Sequence, residues 1–233
     1  LLSSAIMESA LAREDLVIAY SNRGIAYSLL KAYGLAKQDL KAAIELDPNH
    51  QLTQNHLGIL AEHVDGNLAS AANWYQRAAN SDFAASQVNL GNLYRRGMGV
   101  ERDYEAARRL YQAAADQGYS LAYVPIGLMY QNGEGVRRDA AKAVEWFRKA
   151  SGSDIATANY YLGVAYEKGS GVSRSLVSAA RYYERAAMQG HGEAQNALGY
   201  MYRRGNGVNQ DYEQAMKWYR LAARSEEHTS ELQ

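Results

Sequence analysis

Leu90-Gly91-Asn92-Leu93-Tyr94, Ile126-Gly127-Leu128-Met129-Tyr130, Leu162-Gly163-Val164-Ala165-Tyr166 and Leu198-Gly199-Tyr200-Met201-Tyr202 are one phrase written four times, 36 residues apart. Behind each comes a Gly-x-Gly-Val turn: Gly97-Met98-Gly99-Val100, Gly133-Glu134-Gly135-Val136, Gly169-Ser170-Gly171-Val172 and Gly205-Asn206-Gly207-Val208. Self-similarity at this period marks a stacked array of helix pairs rather than a globular enzyme domain. Such arrays bury neighbour against neighbour and leave an extended groove whose usual work is to hold another protein.

Taking the central glycine of each phrase as a register mark, the series runs Gly24, Gly58, Gly91, Gly127, Gly163 and Gly199, at intervals of 34, 33, 36, 36 and 36. The first unit carries Gly24, Tyr27, Ala36, Leu40, Ala43 and Pro48, and in that spacing it resembles a tetratricopeptide repeat. The second is a hybrid, with Leu57-Gly58, Trp74-Tyr75 and Ala78-Ala79 but no double-glycine turn. The last four resemble Sel-one-like repeats, relatives of tetratricopeptide repeats with a longer turn. The units are expected at 17–50, 51–83, 84–119, 120–155, 156–191 and 192–223, with 1–16 read as the surviving helix of a preceding repeat. The fold expected from the resemblance is all-α, a right-handed α-solenoid of about six helix-turn-helix repeats.

Each long unit follows from local physics. The first helix carries Val88, Leu90, Gly91 and Tyr94 at helical spacing. A glycine at its centre lowers helix propensity by about 1 kcal/mol relative to Ala. Its repetition implies that the second helix of the unit crosses there at close range. The first glycine of the turn ends the first helix by adopting positive φ, and the following valine plugs the gap between the helices. The second helix starts after Asp103, Asp139, Ser175 or Asp211, whose side chains can accept from the free amides of the first turn. It presents Tyr111, Phe147, Tyr183 or Tyr219, and the small residues Ala114, Ser151, Ala187 and Ala223 let the next unit approach. Gly118 and Gly190 sit just past two of these helices. Pro125 falls where the first helix of the fourth unit should already be running, which predicts a late start or a kink.

Both ends read as foreign or cut. Arg224 to Gln233 matches the reading-frame translation of a sequencing-adapter oligonucleotide and is set aside. Leu1 is not a methionine and the opening residues read as the middle of a helix, so a piece of a longer protein is expected. The last native helix would then show an uncovered apolar face and fray beyond Lys217. Without the tail, Lys plus Arg falls from 25 to 24 and Asp plus Glu from 25 to 22, a net charge of 24 − 22 = +2. That balance carries no basic footprint for nucleic acid. No apolar run approaches the roughly 20 residues of a membrane span. Cysteine is absent, so neither disulfides nor thiolate chemistry is available. Tyr outnumbers Phe 19 to 2, which points to aromatics half buried with the hydroxyl reaching outward.

Three motifs invite chemistry and are better explained without it. The glycine turns follow helices rather than strands and lack the endings of phosphate-binding loops; four copies argue for structure, since a ligand needs one. Ser28-Leu29-Leu30-Lys31 matches a penicillin-recognising nucleophile pattern, but its partner motifs are missing and Leu29 and Leu30 read as apolar helix positions. His56 and His63 share a helix face with Glu62 nearby, too few ligands for a zinc site. No cofactor, metal or catalytic set is therefore assigned.

The sharper signal lies on the first helices. By the resemblance, positions six and three before the marker glycine, and one, four and five after it, line the groove. These are Asn55, Glu62 and His63; Val88, Asn92, Arg95 and Arg96; Val124, Leu128, Gln131 and Asn132; Tyr160, Val164, Glu167 and Lys168; and Asn196, Tyr200, Arg203 and Arg204. Asn and Arg can bond the backbone and carboxylates of a peptide, and Tyr supplies contact area at low entropic cost. The pairs Arg95-Arg96 and Arg203-Arg204 also suit a solvated helix C-terminus, where the macrodipole favours cations by about 0.3–1 kcal/mol. The expected function is a non-catalytic scaffold that binds a peptide or helical protein partner, with no nucleic acid and no membrane span. The family resemblance implies adaptor roles, often in bacterial envelope or signalling settings. The alternative is the regulatory array of a larger enzyme; a hydrolase of the kind claimed for cysteine-rich relatives is disfavoured by the missing cysteines. The compartment, cytoplasm or bacterial periplasm, stays open.

Overall fold

The computed structural model describes residues 13–230, with side chains to Ser225. Among these residues every regular element is helical. The chain divides into two compact units, Leu1–Tyr119 and Ser120–Gln233.

The first unit holds α1 (Arg13–Leu29), α2 (Tyr33–Leu46), α3 (Gln51–His63), α4 (Leu68–Ala79), α5 (Ala84–Arg96) and α6 (Tyr104–Asp116), each packed on the next in chain order. The second holds a short 3-10 turn (Ser120–Ala122), then α7 (Tyr123–Asn132), α8 (Ala140–Gly152), α9 (Ala156–Lys168), α10 (Leu176–Met188), α11 (Gly192–Arg204) and α12 (Tyr212–Ser230), again stacked serially. Each unit is thus three helical hairpins side by side. Small residues let the hairpins approach: Ala107, Ala114, Ala150, Ala158, Ala186 and Ala194 have no exposed surface.

The caps form as the sequence dictates. Asp103, Asp139 and Ser175 accept from the backbone N–H of Ala106, Lys142 and Ser178, and Asp211 accepts from Gln214. Gly97, Gly133, Gly169 and Gly205 terminate the first helices at φ near +70°. Pro125 delays the helix as expected: α7 has 10 residues where α5, α9 and α11 have 13, and the chain enters it through the 3-10 turn. At the third helical position the missing N–H costs nothing.

The second turn glycine has a duty that the spacing alone did not reveal. A Cβ on Gly171 would stand 2.2 Å from the carbonyl oxygen of Ala140, and one on Gly207 2.2 Å from that of Leu176. The turn of one hairpin therefore rests on the backbone that opens the second helix of the hairpin before it. Buried amides add a second tie: Gln54 Nε2 donates to Pro48 O at 2.7 Å and Gln195 Nε2 to Ala187 O at 3.1 Å. The first hairpin is also pinned by Arg23, which grips Asp39 with two nitrogens at 2.6 and 2.8 Å.

Two expectations need correction, and a third falls mostly outside the described residues: of residues 1–16 the first twelve are not described, and Arg13 to Leu16 are continuous with the rest of α1. Leu29 and Leu30 are not core positions: α1 stops at Leu29, both leucines are exposed, and Lys31 adopts φ +57° in the turn. Nor does the last helix fray beyond Lys217. It continues to Ser230, held where Ala222 is buried and Ser225 Oγ donates to Gln195 Oε1 at 3.1 Å. Tyr212 and Met216 on that helix are exposed, as an uncovered apolar face would be.

Candidate partner-binding face

The expected groove residues separate into those that bond within the fold and those that face solvent. The sorting is done by the aromatic of each second helix. Tyr75, Tyr111 and Tyr183 are almost fully buried over the glycine of the first helix, and each hydroxyl needs an acceptor at the rim. Tyr75 donates to Glu62 at 2.8 Å, Tyr111 to Asn92 at 2.8 Å and Tyr183 to Glu167 at 2.6 Å. Burial, and then the bonded carboxylate, push the phenols of Tyr75 and Tyr183 well above the usual tyrosine value. In the fourth repeat the buried ring is Phe147, which has no hydroxyl to place.

Asn92 and Glu167 thus serve the fold first. Asn55 is a clearer departure. It is buried, and its Oδ1 accepts from Ser86 Oγ at 2.8 Å and Asn89 Nδ2 at 3.2 Å, tying α3 to α5. Val88 and Val124 are core residues. Tyr160 is half buried and stacks on His191 with ring centroids 4.7 Å apart. Arg95 is half buried, whereas Arg96 is exposed. The resemblance placed these side chains on the groove face, but the neighbouring helix decides how deep each one sits.

In the second unit the outward set is coherent. Asn132, Lys168, Asn196, Tyr200, Arg203 and Arg204 are all exposed. Tyr200 is 41% exposed, with the guanidinium of Arg203 5.4 Å and that of Arg204 5.8 Å from its ring centroid. That contact keeps a large aromatic presented to solvent at modest entropic cost. Asn132 Nδ2 donates to Glu134 at 3.0 Å. Gln131 and Lys168 both line a crevice of about 120 Å³ between the fourth and fifth repeats.

A further set escaped the reading of the first helices because it lies in the turns. Arg138 Nε donates to Gln131 O, Arg174 Nε to Glu167 O, and Gln210 Nε2 to Arg203 O, at 3.0, 3.0 and 2.9 Å. Each stands five residues after the glycine that ends the first helix, and each satisfies a carbonyl of that helix's last turn. The signal was available as Arg102, Arg138 and Arg174 at one register.

Among the described residues, no group of three or more His, Cys, Asp or Glu side chains is placed to hold a metal ion, and no helix is long and apolar enough to cross a membrane. His56 is half buried, its pKa lowered by burial; His63 is exposed, 3.9 Å from Glu62.

Comparison with known proteins places the chain. The Sel1 repeat model matches residues 54–83, 84–119, 120–153, 156–191 and 192–226, and the tetratricopeptide repeat model matches 17–50. No curated protein matches the chain. Among solved structures, c5321, described as a protective antigen in uropathogenic Escherichia coli strains displaying an SLR fold, is 28% identical with a TM-score of 0.75. That match covers 92% of this chain and 49% of c5321, so the chain spans about half the length of that relative. A Sel1 repeat protein from Oxalobacter formigenes is 30% identical over 88% of this chain and 85% of its own, with a TM-score of 0.70. Pseudomonas aeruginosa pilF, 22% identical with a TM-score of 0.69 over 88% of this chain and 90% of its own, shares the fold. The fold class is all-α, a right-handed α-solenoid, and these neighbours point to a bacterial setting. With five Sel1 repeats across most of its length, the chain belongs to the Sel1-repeat family.

Proposed function

We propose that this chain is a non-catalytic interaction module that holds a peptide or helical segment of another protein against the first helices of its second unit. The observation that carries the reading is Tyr200 on α11, exposed and flanked by Arg203 and Arg204, with Asn196 exposed one turn earlier on the same helix and Lys168 exposed at the register of Arg204 in the repeat before. Tyr and Arg are the residues that most often dominate binding energy at protein interfaces. The cations suit backbone carbonyls and carboxylates, and the asparagines suit amides.

The test is affinity capture from an extract of the source organism with three immobilised proteins: wild type, Tyr200→Ala/Arg203→Ala, and a control, Val177→Ser, on the exposed side of α10. A partner retained by wild type and control but lost by the double variant supports the reading. Equal recovery on all three, with helicity matched by circular dichroism, overturns it.

A further inference from the structure

The fourth repeat, at the crevice it forms with the fifth, has no acid at a position where the second and fifth repeats carry one, whereas the third and sixth place Arg95 and Arg203 there; this bears on ligand chemistry. Where the second-helix aromatic is Tyr75 or Tyr183, the position four residues after the marker glycine is an acid, Glu62 or Glu167, which receives the phenol hydroxyl. Phe147 has no hydroxyl, and the same position is Gln131. The crevice above Phe147 therefore lacks a carboxylate, and none of its lining residues is Asp or Glu.

Two cations stand on its rim, Lys168 from the end of α9 and Arg138 from the turn before α8, together with Ser170. Both cations are exposed, and Arg138 commits its Nε to Gln131 O at 3.0 Å, which orients the guanidinium and leaves its terminal N–H groups to point elsewhere. Below them the floor is apolar. Phe147 and Tyr161 stack with centroids 5.0 Å apart and planes 16° from parallel, and Val144 and Val164 line the walls. A space of about 120 Å³ is of the size that holds a small aliphatic side chain.

From this combination we infer that the crevice binds the C-terminal residue of a partner protein, an aliphatic side chain on the aromatic floor and its α-carboxylate on Lys168 and Arg138. Two cations with no acid in the lining select an anion, and the aromatic floor selects an apolar group joined to it. The Gln131 side-chain carbonyl can accept the amide N–H of that terminal residue, completing the set. The choice of a protein terminus as occupant rests on the interaction-module reading above; the pocket chemistry does not.

The test needs no partner. Wild-type protein, methyl-labelled at valine, is titrated with N-acetyl-Gly-Val bearing a free carboxylate, with its C-terminal amide, and with N-acetyl-Glu amide, and the methyl signals of Val144 and Val164 are followed by NMR. The free carboxylate should shift both signals saturably, and the amide should bind about tenfold more weakly or worse. Lys168→Gln and Arg138→Gln should each weaken binding several-fold. Gln131→Glu, which installs at a half-buried position the acid found in the second and fifth repeats, should nearly abolish it with the fold intact. Absence of a saturable shift, equal binding of acid and amide, or an unaffected Gln131→Glu variant overturns the proposal. Tighter binding of N-acetyl-Glu amide also overturns it, in favour of an internal acidic side chain. Because the probe is a free dipeptide, these outcomes are independent of the capture experiment at Tyr200 and Arg203, and either reading can fail alone.

Discussion

The ring of Tyr183 lies across Gly163 so closely that a Cβ added to the glycine would stand 2.5 Å from ring Cδ1. The same pairing recurs as Tyr75 over Gly58, Tyr111 over Gly91 and Phe147 over Gly127. Glycine in the first helix and aromatic in the second are therefore one packing feature. The approach that demands a glycine is made by a side chain, not by the backbone of the crossing helix. The helix-propensity loss of about 1 kcal/mol is offset by complete burial of a large ring. In the first repeat Leu40 takes the aromatic's place against Gly24.

Gly163→Ala should overpack the fifth hairpin and cost about 1–3 kcal/mol in thermal or chemical unfolding. Gly152, at the end of α8, has nothing within 4 Å of an added Cβ, so Gly152→Ala should be neutral or stabilise by a few tenths to about 1 kcal/mol. A smaller loss for Gly163→Ala when combined with Tyr183→Ala than in isolation would verify the contact; strictly additive losses would refute it.

Gly171→Ala should cost more, about 2–5 kcal/mol, since its φ of +75° strains any side chain and the added Cβ meets the Ala140 carbonyl, which cannot step aside. Gly190→Ala is the comparison: its φ is +82° but the space around it is open, so about 1–2 kcal/mol is expected. Denaturant midpoints that rank the two variants in the opposite order would rule out the seam between hairpins as the cause.

Removing the hydroxyl in Tyr183→Phe should cost about 1–2 kcal/mol, because Glu167 keeps a half-buried carboxylate without its donor. In a Glu167→Leu background the same change should cost close to nothing, since a Phe stands unpaired in the fourth repeat already. The phenols of Tyr75 and Tyr183 also set an alkaline limit. An unfolded tyrosine ionises near its ordinary value of 10.0, whereas both folded phenols stay protonated well above it. Their stabilisation is complete below pH 10 and falls as pH rises beyond it. Replacing both by Phe should flatten the alkaline limb of the stability curve, and an unchanged limb would assign it elsewhere.

On the acid side, burial lowers the pKa of His56 and His191, with Glu193 opposing part of the shift at His191. Unfolded histidine takes a proton near 6.5 while the folded rings resist it, so stability is present above that value and declines as pH falls below it. His191 also caps α11, its Nδ1 accepting from Ala194 N at 3.4 Å, a bond only the unprotonated nitrogen can make. His191→Asn keeps a capping side chain, and with His56→Gln it should leave the melting temperature nearly level between pH 7.5 and 5.5. A slope equal to wild type would exclude both histidines.

Periodicity is carried by the chain alone, so the helix pairs, their caps at Asp103, Asp139, Ser175 and Asp211, the left-handed glycines and the delay at Pro125 could all be read from residue spacing. Spacing also assigns each side chain to a face of its helix. Neither spacing nor the groove positions implied by the resemblance carry depth, which is why Asn55, Val88 and Val124 entered the groove set although they are buried. Whether Asn92 and Glu167 point at a partner or at a tyrosine depends on where the second helix puts its hydroxyl, a contact made 19 and 16 residues away along the chain. The same holds for Gly171 against Ala140. Local propensities act within one turn of helix, whereas hydrogen-bond satisfaction and close packing are settled between hairpins, once the backbone has brought distant residues within reach.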